Sequence, residues 1–480
     1  MTANSRRNAL LMALLLLYCC GMMCWGAFKN PLIPDEARNI FTGRAATKAF
    51  GSKHSGLMVD EYLGSAAIAP VAIAKAESIA GIRGARLVGV ALCLLIVCSL
   101  YLVGNTQPYG GRGLITASTF VFLGLPLQLS SIANSDAYAA AFLGASFLCV
   151  EHAAGLGSSR KKAFMLLTGA LSLAFAVMAN YIAFLFIAPF ILFVFLRHQS
   201  LFTIKFFLLP FVILLALYAQ LAIRPVWPQI AKELALAYTE STDSSWTYVF
   251  GLLTMSYLLA AMGIFHKDGA KTSFLMLMLA SPALIIHFFS SHLGEMNSAA
   301  FFSLIFLSPA AARGVEHMGD LFSYDNDIKF VKSFFVAAIL AVIWVFGVQQ
   351  IKELKLEHPD FSNVISFLKK QGKGCSSLLV NSDYGSPELV YEYYFDSKAP
   401  SMRIIPVVRE NAEKRREIVE SQHPDYAVVD SYYNVQSFKQ ACSDYMADGY
   451  DVAATWDITT RNMSRASRLN NIIIFKKGAL

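Results

Sequence analysis

Two adjacent carboxylates, Asp35 and Glu36, stand just past the first long apolar run, in Asn30-Pro-Leu-Ile-Pro-Asp-Glu-Ala-Arg38. An acid beside hydrocarbon is costly to place, so it is a functional candidate by default. The chemistry such a group offers is proton abstraction, as a general base at a membrane boundary. The competing reading is local: Pro34 followed by two acids also starts a helix well, because the acids meet the positive end of the helix dipole. A second acid, Asp136, follows Asn134 and Ser135, a run that equally describes a helix N-cap. His292 and Glu295, three residues apart, form a third pair that could contact a metal or a substrate.

Other chemistries lack their signatures. There is no Walker loop and no G-x-G-x-x-G that opens a helix after a strand, which disfavours a nucleotide-driven enzyme. Gly110-Gly-Arg-Gly113 reads as a turn. No H-E-x-x-H motif supports a zinc peptidase.

The elements that must position these residues follow from composition. The 480-residue chain is 56% hydrophobic and 15% charged, with net charge +7. Soluble domains carry about 25% charged residues, so this composition describes an integral membrane protein. The excess of Lys and Arg is no sign of nucleic-acid binding, because most of it lies in short loops between apolar runs. Runs long enough to span a bilayer, about 20 residues each, fall near 9–28, 84–104, 113–132, 137–154, 163–179, 181–197, 203–223, 246–265, 272–290, 296–313 and 330–350. The first follows Arg6 and Arg7 as a signal peptide would, but it lacks a small-residue cleavage site and reads as a retained helix.

Placing Arg6 and Arg7 inside puts Arg112, Arg160, Lys161, Lys162, Arg197, Lys267, Lys271, Arg313 and Lys329 inside as well. The loops near 133–136 and 291–297, with no Lys or Arg, fall outside, as the positive-inside rule expects. The first outer loop, about 29–83, is rich in both signs of charge. Its segments after Pro34 and over Tyr62–Ala80 read as helices lying on the membrane surface, as does Ile230–Tyr238.

An odd number of spans puts the C-terminus outside too. From about 351 the pattern changes: strands at Ser377–Asn381, Tyr426–Asp430 and from Asn471, and helices at Pro387–Phe395 and Val435–Met446, predict a small α/β domain. The domain division is therefore 1–350 and 351–480. Six of the eight cysteines lie in apolar runs. The other two, Cys375 and Cys442, could pair if their domain is extracytoplasmic. Asp383 and Asp430, at strand ends, read as structural.

An acidic pair after the first span, surface helices and then a helix beginning Arg83-Gly-Ala-Arg-Leu-Val-Gly together resemble the GT-C membrane glycosyltransferases. The branch they are most similar to is that of the protein O-mannosyltransferases and lipid A aminoarabinose transferases. Ala133-Asn-Ser-Asp136 resembles the family's second acidic motif. Leu171-Ser-Leu-Ala-Phe-Ala-Val-Met-Ala-Asn-Tyr181 resembles the helix that follows it, with Asn180 where a Lys is common. The late outer loop departs from the family: His292-Leu-Gly-Glu-Met-Asn297 precedes Pro309 without a Lys or Arg. The usual His-Pro-Pro stretch is missing too, and Val59-Asp-Glu-Tyr62 stands near its place.

The resemblance implies a fold of about eleven transmembrane helices with interfacial helices and an extracytoplasmic α/β domain. It also implies a reaction: a sugar moves from a polyprenyl-phosphate donor to a hydroxyl on a glycan, lipid or protein acceptor, at the outer face of a bacterial inner membrane. Asp35 would be the base, with Glu36 and Asp136 in support. Arg38, Lys53, His54, Arg224 and His292 would hold phosphate, and Asp60, Glu61 and Glu295 would face the substrate. Each of these also suits an interfacial anchor or a solvated surface. No cofactor is required, although a divalent metal at Glu36 is compatible with the pattern. The rival classes are a flippase of lipid-linked sugars and an anchored assembly protein. Transporters place charges and broken helices at the bilayer midplane, usually in repeated halves. This chain has no evident repeat, and its acids gather at the outer face. Eleven spans are also excessive for an anchor.

Overall fold

The computed structural model describes residues 3–49, 68–106, 109–198, 201–224, 245–266, 270–285, 293–322, 329–355, 362–371, 377–381, 403–406, 412–430, 435–461 and 467–478. Lys53, His54, Asp60, Glu61, His292, Cys375, Asp383 and the expected helices at Ile230–Tyr238 and Pro387–Phe395 lie outside the described residues. The chain divides into two compact units. One holds Met1–Lys29 with Thr42–Leu354, and the other Asn30–Phe41 with Lys355–Leu480.

The first unit is helical. Among the described residues, eight helices are long and apolar enough to cross a membrane. Four of them are α1 (Ala3–Lys29), α3 (Ile68–Gly104), α6 (Ser135–Ala154) and α7 (Ser159–Ala179). The others are α8 (Tyr181–His198), α9 (Leu201–Leu221), α12 (Leu293–Phe322) and α13 (Lys329–Lys355). A bent pair, α4 (Gly113–Val121) and α5 (Gly124–Ser130), turns through 69° and makes a ninth if counted as one span. Two shorter apolar helices, α10 (Ser245–Met262) and α11 (Ala270–Ala280), stand where two further spans are expected. Every apolar run read from the sequence therefore falls on helix, the run at 113–132 on the bent pair and the described part of 272–290 on α11 and the short helix Pro282–Ile285. Of the surface helices, α2 (Pro34–Ala49) forms as expected.

Three local features have physical causes, the first two at breaks the sequence expects and the third a departure. The helix α3 is broken at Ala80 and Gly81, where Gly81 takes φ 66° and ψ −171°, a conformation that costs glycine little because it has no Cβ. The segment 68–79 is thereby separated in direction from the span that follows. The chain also reverses at Asn180, which is extended and sits between α7 and the 3-10 turn Tyr181–Phe186. Finally, α12 starts at Leu293, so residues 293–297 are its first turns rather than loop, and it runs nine residues past the expected end at 313. The extra turns carry Glu316 and Asp320, whose ion pairs let charged residues continue a helix that apolar counting ends early.

The second unit is an α/β layer. Its five strands are β1 (Ser377–Asn381), β2 (Arg403–Pro406), β3 (Tyr426–Asp430), β4 (Tyr450–Arg461) and β5 (Ser467–Lys477), in the order β2-β1-β3-β5-β4. The pairs β1–β2 and β1–β3 are parallel, and the last two pairs antiparallel. Alternate residues feed two cores. Leu378, Val380, Val428, Ile472 and Ile474 pack with Val364 and Leu368 of α14 (Ser362–Gln371). Leu379, Val429 and Phe475 pack on the other face with Val419 of α15 (Ala412–Gln422) and with Ala441, Cys442 and Tyr445 of α16 (Val435–Ala447). The Cys442 thiol, buried in this second core, is pushed up to about 11 by burial. The strands β2 and β4 were not expected: β2 spans four residues, and β4 carries charged and threonine positions that read as loop.

Candidate active site

The best-defined polar constellation of the first unit centres on Asp136. The Asn134 side chain accepts from the Ala137 amide at 3.4 Å and so caps α6. Capping satisfies one of the free amides at a helix start and leaves Asp136 in the first turn, where the dipole favours a negative charge. The N-cap reading of this motif thus holds for Asn134, which does the capping, while Asp136 takes other partners.

Those partners come from three elements. Oδ1 of Asp136 accepts from Ser298 Oγ of α12 at 2.6 Å and from Asn180 Nδ2, at the α7–α8 reversal, at 2.7 Å. Oδ2 accepts from Asn134 Nδ2 at 2.9 Å. Asn180 also donates to Ser135 Oγ at 3.2 Å, and its own Oδ1 accepts from the Ile182 amide at 2.9 Å. One side chain thereby shapes the reversal and holds the carboxylate. Asp136, Ser298 and Asn134 are all buried. A buried carboxylate held by two amides and a hydroxyl is stabilised as an anion and kept in one orientation. Sequence reasoning noted Asn180 only as a departure and did not find Ser298. A small polar residue near the start of an apolar helix is too common to serve as a signal.

Asp35 and Glu36 open α2. Glu36 is fully buried, and its Oε2 accepts from the Ile33 amide at 3.2 Å. This is the reach-back half of a capping box, in which a Glu at the third helical position satisfies the amide before the helix. Asp35, one residue earlier, is half-buried and meets no hydrogen-bond or ionic partner among the described residues. The two acids therefore divide their roles: Glu36 builds the helix start, and Asp35 is left over. Arg38 is exposed on the same helix. Further along, Gly43 comes so close to the Pro70 carbonyl that a Cβ would lie 2.0 Å from its oxygen. The next residue, Arg44, is ion-paired with Glu77. These contacts fasten the second half of α2 to the segment before the α3 break.

Nearby, the buried Arg86 donates to the Ala27 carbonyl at the end of α1, at 3.0 Å. Arg224 is exposed and donates to Gln220 of its own helix at 3.3 Å. Glu295 lies in the first turn of α12, three residues before Ser298. Among the described residues, no three His, Cys, Asp or Glu side chains come together as a metal-binding group.

The opposite end of the same helices carries a different set of charges. Glu316 is ion-paired with Arg112 and, at 3.3 Å, with Lys332, which also meets Asp320 at 2.5 Å. His266 lies beside them, and burial followed by the Arg112 guanidinium pulls its pKa down. Deeper, Arg197 pairs with Glu151 at 3.2 Å. Tyr109 donates to Glu151 at 3.1 Å, and Arg313 lies over the Tyr109 ring. Fifteen residues, about 22 Å of helix, separate Asp136 from Glu151 on α6 and Ser298 from Arg313 on α12. The two helices run parallel from one polar end to the other.

No protein-family model matches the chain, and no curated protein matches it. Solved structures do. ArnT from Cupriavidus metallidurans, bound to undecaprenyl phosphate, matches over 100% of both chains with a TM-score of 0.62 at 12% identity. The Archaeoglobus fulgidus oligosaccharyltransferase, tethered to an acceptor peptide, matches over 95% of this chain and 74% of its own, with a TM-score of 0.58 at 10% identity. The fold is that of the GT-C membrane glycosyltransferases. The mycobacterial arabinofuranosyltransferase AftD matches all of this chain but 42% of its own, with a TM-score of 0.54 at 14% identity. A GT-C fold, together with the eight long apolar helices, makes the chain an integral membrane protein.

Proposed function

We propose that this GT-C chain is a glycosyltransferase that takes its sugar from a polyprenyl-phosphate donor. The observation that carries the reading is the end-to-end likeness to ArnT with undecaprenyl phosphate bound. In the proposed reaction Asp35 takes the proton of an acceptor hydroxyl. The oxygen attacks the anomeric carbon, the bond from that carbon to the phosphate oxygen breaks, and polyprenyl phosphate leaves with configuration inverted. Asp35 suits the base because it is half-buried and uncommitted, whereas Glu36 is engaged in capping. A base needs an unengaged lone pair within reach of the hydroxyl.

Asp136 supports the reaction as a fixed carboxylate at the outer face, held by Asn180 and Ser298. Arg38, Arg224 and the basic residues of 50–67 are the proposed phosphate contacts, since a leaving phosphate gains charge that cations stabilise. The outer, periplasmic side of a bacterial inner membrane is the proposed location of this chemistry and of the second unit. The acceptor is a glycan, lipid or protein hydroxyl.

The test is direct. Purified protein with a radiolabelled polyprenyl-phosphate sugar should release free polyprenyl phosphate in the presence of an acceptor extract. The Asp35→Asn variant should insert normally and lose at least about 100-fold of that activity. Near-normal transfer by Asp35→Asn would remove Asp35 from the role of base. A wild type that moves the lipid across a bilayer without cleaving it would replace the transferase reading with a flippase.

A further inference from the structure

We propose that the turn between α6 and α7 is a docking site for the headgroup of an anionic phospholipid, in the leaflet at the Glu151 end of the membrane unit. An open pocket of about 360 Å³ lies at this turn, lined by His152, Leu156, Arg160, Lys161, Phe164 and Met165. Arg160 and Lys161 are exposed, and Lys162 is half-buried beside them. None of the three meets a carboxylate among the described residues. This sets them apart from Arg112, Arg197 and Lys332 at the same end, each of which is ion-paired.

Their location is electrostatically unfavourable by itself. All three stand in the first turn of α7, where the helix dipole is positive and repels cations. Ser158, at the N-cap, makes no side-chain bond to the amides behind it. Two cations lining one pocket, Arg160 and Lys161, at a helix start whose N-cap makes no side-chain bond, attract an anion. Phe164, 63% exposed, and Leu167, one turn further along α7, present an apolar surface directly below the pocket. A phosphate with acyl chains attached satisfies both parts, since its head meets the cations and its chains lie along Phe164 and Leu167. A free phosphate satisfies only the first. This site is independent of the outer-face chemistry proposed above, and its test does not read transferase activity.

The experiment measures lipids retained by the detergent-purified full chain, using native mass spectrometry with equimolar dioleoylphosphatidylglycerol and dioleoylphosphatidylcholine. Phosphatidylglycerol should be retained preferentially. The double variant Arg160→Gln/Lys161→Gln should reduce that preference about tenfold, while Lys271→Gln, an exposed cation in the first turn of α11, should leave it unchanged. Leu156→Trp, which fills the pocket and alters no charge, should reduce it as well, so the site remains testable if the double variant inserts poorly. Equal retention of the two lipids, an equal loss in Lys271→Gln, or displacement of the lipid by millimolar inorganic phosphate would each overturn the proposal.

Discussion

The two ends of the helical unit solve the same problem in opposite ways. Both place carboxylates at the edge of an apolar bundle, Asp136 and Glu151 buried, Glu316 half-buried and Asp320 exposed. At one end Asp136 receives hydrogen bonds from Asn180, Ser298 and Asn134, donors that carry no charge of their own. At the other, Glu316 and Asp320 are matched with Arg112 and Lys332, and Glu151 with Arg197. Neutral donors orient a carboxylate without cancelling its charge, whereas cations cancel it. The first arrangement fixes the orientation of a carboxylate; the second uses charge to hold helices together. The same two helices, α6 and α12, carry both arrangements, so the difference is one of local partners and not of fold.

Substitutions can break this comparison, and the largest effect is expected at Asp136. Asp136→Asn keeps the volume and removes the charge; transfer should fall about 100-fold with little change in the thermal unfolding midpoint. If the midpoint collapsed and activity per folded molecule stayed normal, the Asp136 cluster would be as structural as the Glu316 one. Glu316→Gln should do the reverse. It strands Arg112, while Lys332 keeps its pair with Asp320, costing about 2 kcal/mol of stability, less than a fully buried pair because the side chains keep some water. Activity measured well below the unfolding midpoint should stay within about threefold of wild type, because the charge removed lies about 27 Å of helix away from Ser298.

Ser298→Ala is a finer probe. It deletes one of the donors to Asp136, worth about 1 kcal/mol, and should lower kcat more than it raises KM if the hydroxyl orients the carboxylate. Ser298→Thr, which retains the hydroxyl, should recover part of the loss. The smallest effect is expected from pH at the inner end. His266 has a pKa depressed below 6.5 by burial and by Arg112, with Glu316 and Asp320 acting in the opposite sense and Arg313 in the same one. The neutral ring is therefore favoured by folding. Its contribution is complete above about pH 6.5 and is lost as pH falls from there through the depressed folded value. Unfolding midpoints measured from pH 7.5 to 5 should decline, and His266→Asn should flatten part of that decline. An unchanged slope would assign the decline to the acids alone.

Much of the fold was legible because it is written in long apolar runs. A bilayer demands about 20 consecutive apolar residues per helix, and each run found a helix. Helix ends were less legible. The extra turns of α12 are held by ion pairs with Arg112 and Lys332, residues 204 and 16 positions away, which no local pattern reveals. In the second unit the apolar strands β1, β3 and β5 stood out, but the mixed β4 did not, since pairing with β5 rather than its own composition makes it a strand.

For the proposed site, the sequence by itself determined which acids stand at helix starts: Asp35 and Glu36 after the first span, and Asp136 behind an Asn cap. Residue type and distance from an apolar run suffice for that, because hydrocarbon permits few places for a charge. Only the tertiary structure decided what each acid does with its lone pairs. It committed Glu36 to the Ile33 amide, left Asp35 uncommitted, and gathered Asn180 and Ser298 around Asp136 from 44 and 162 residues away. Hydrogen bonds form over about 3 Å, and which distant side chains come within that reach is settled by helix packing and by the chain reversal at Asn180.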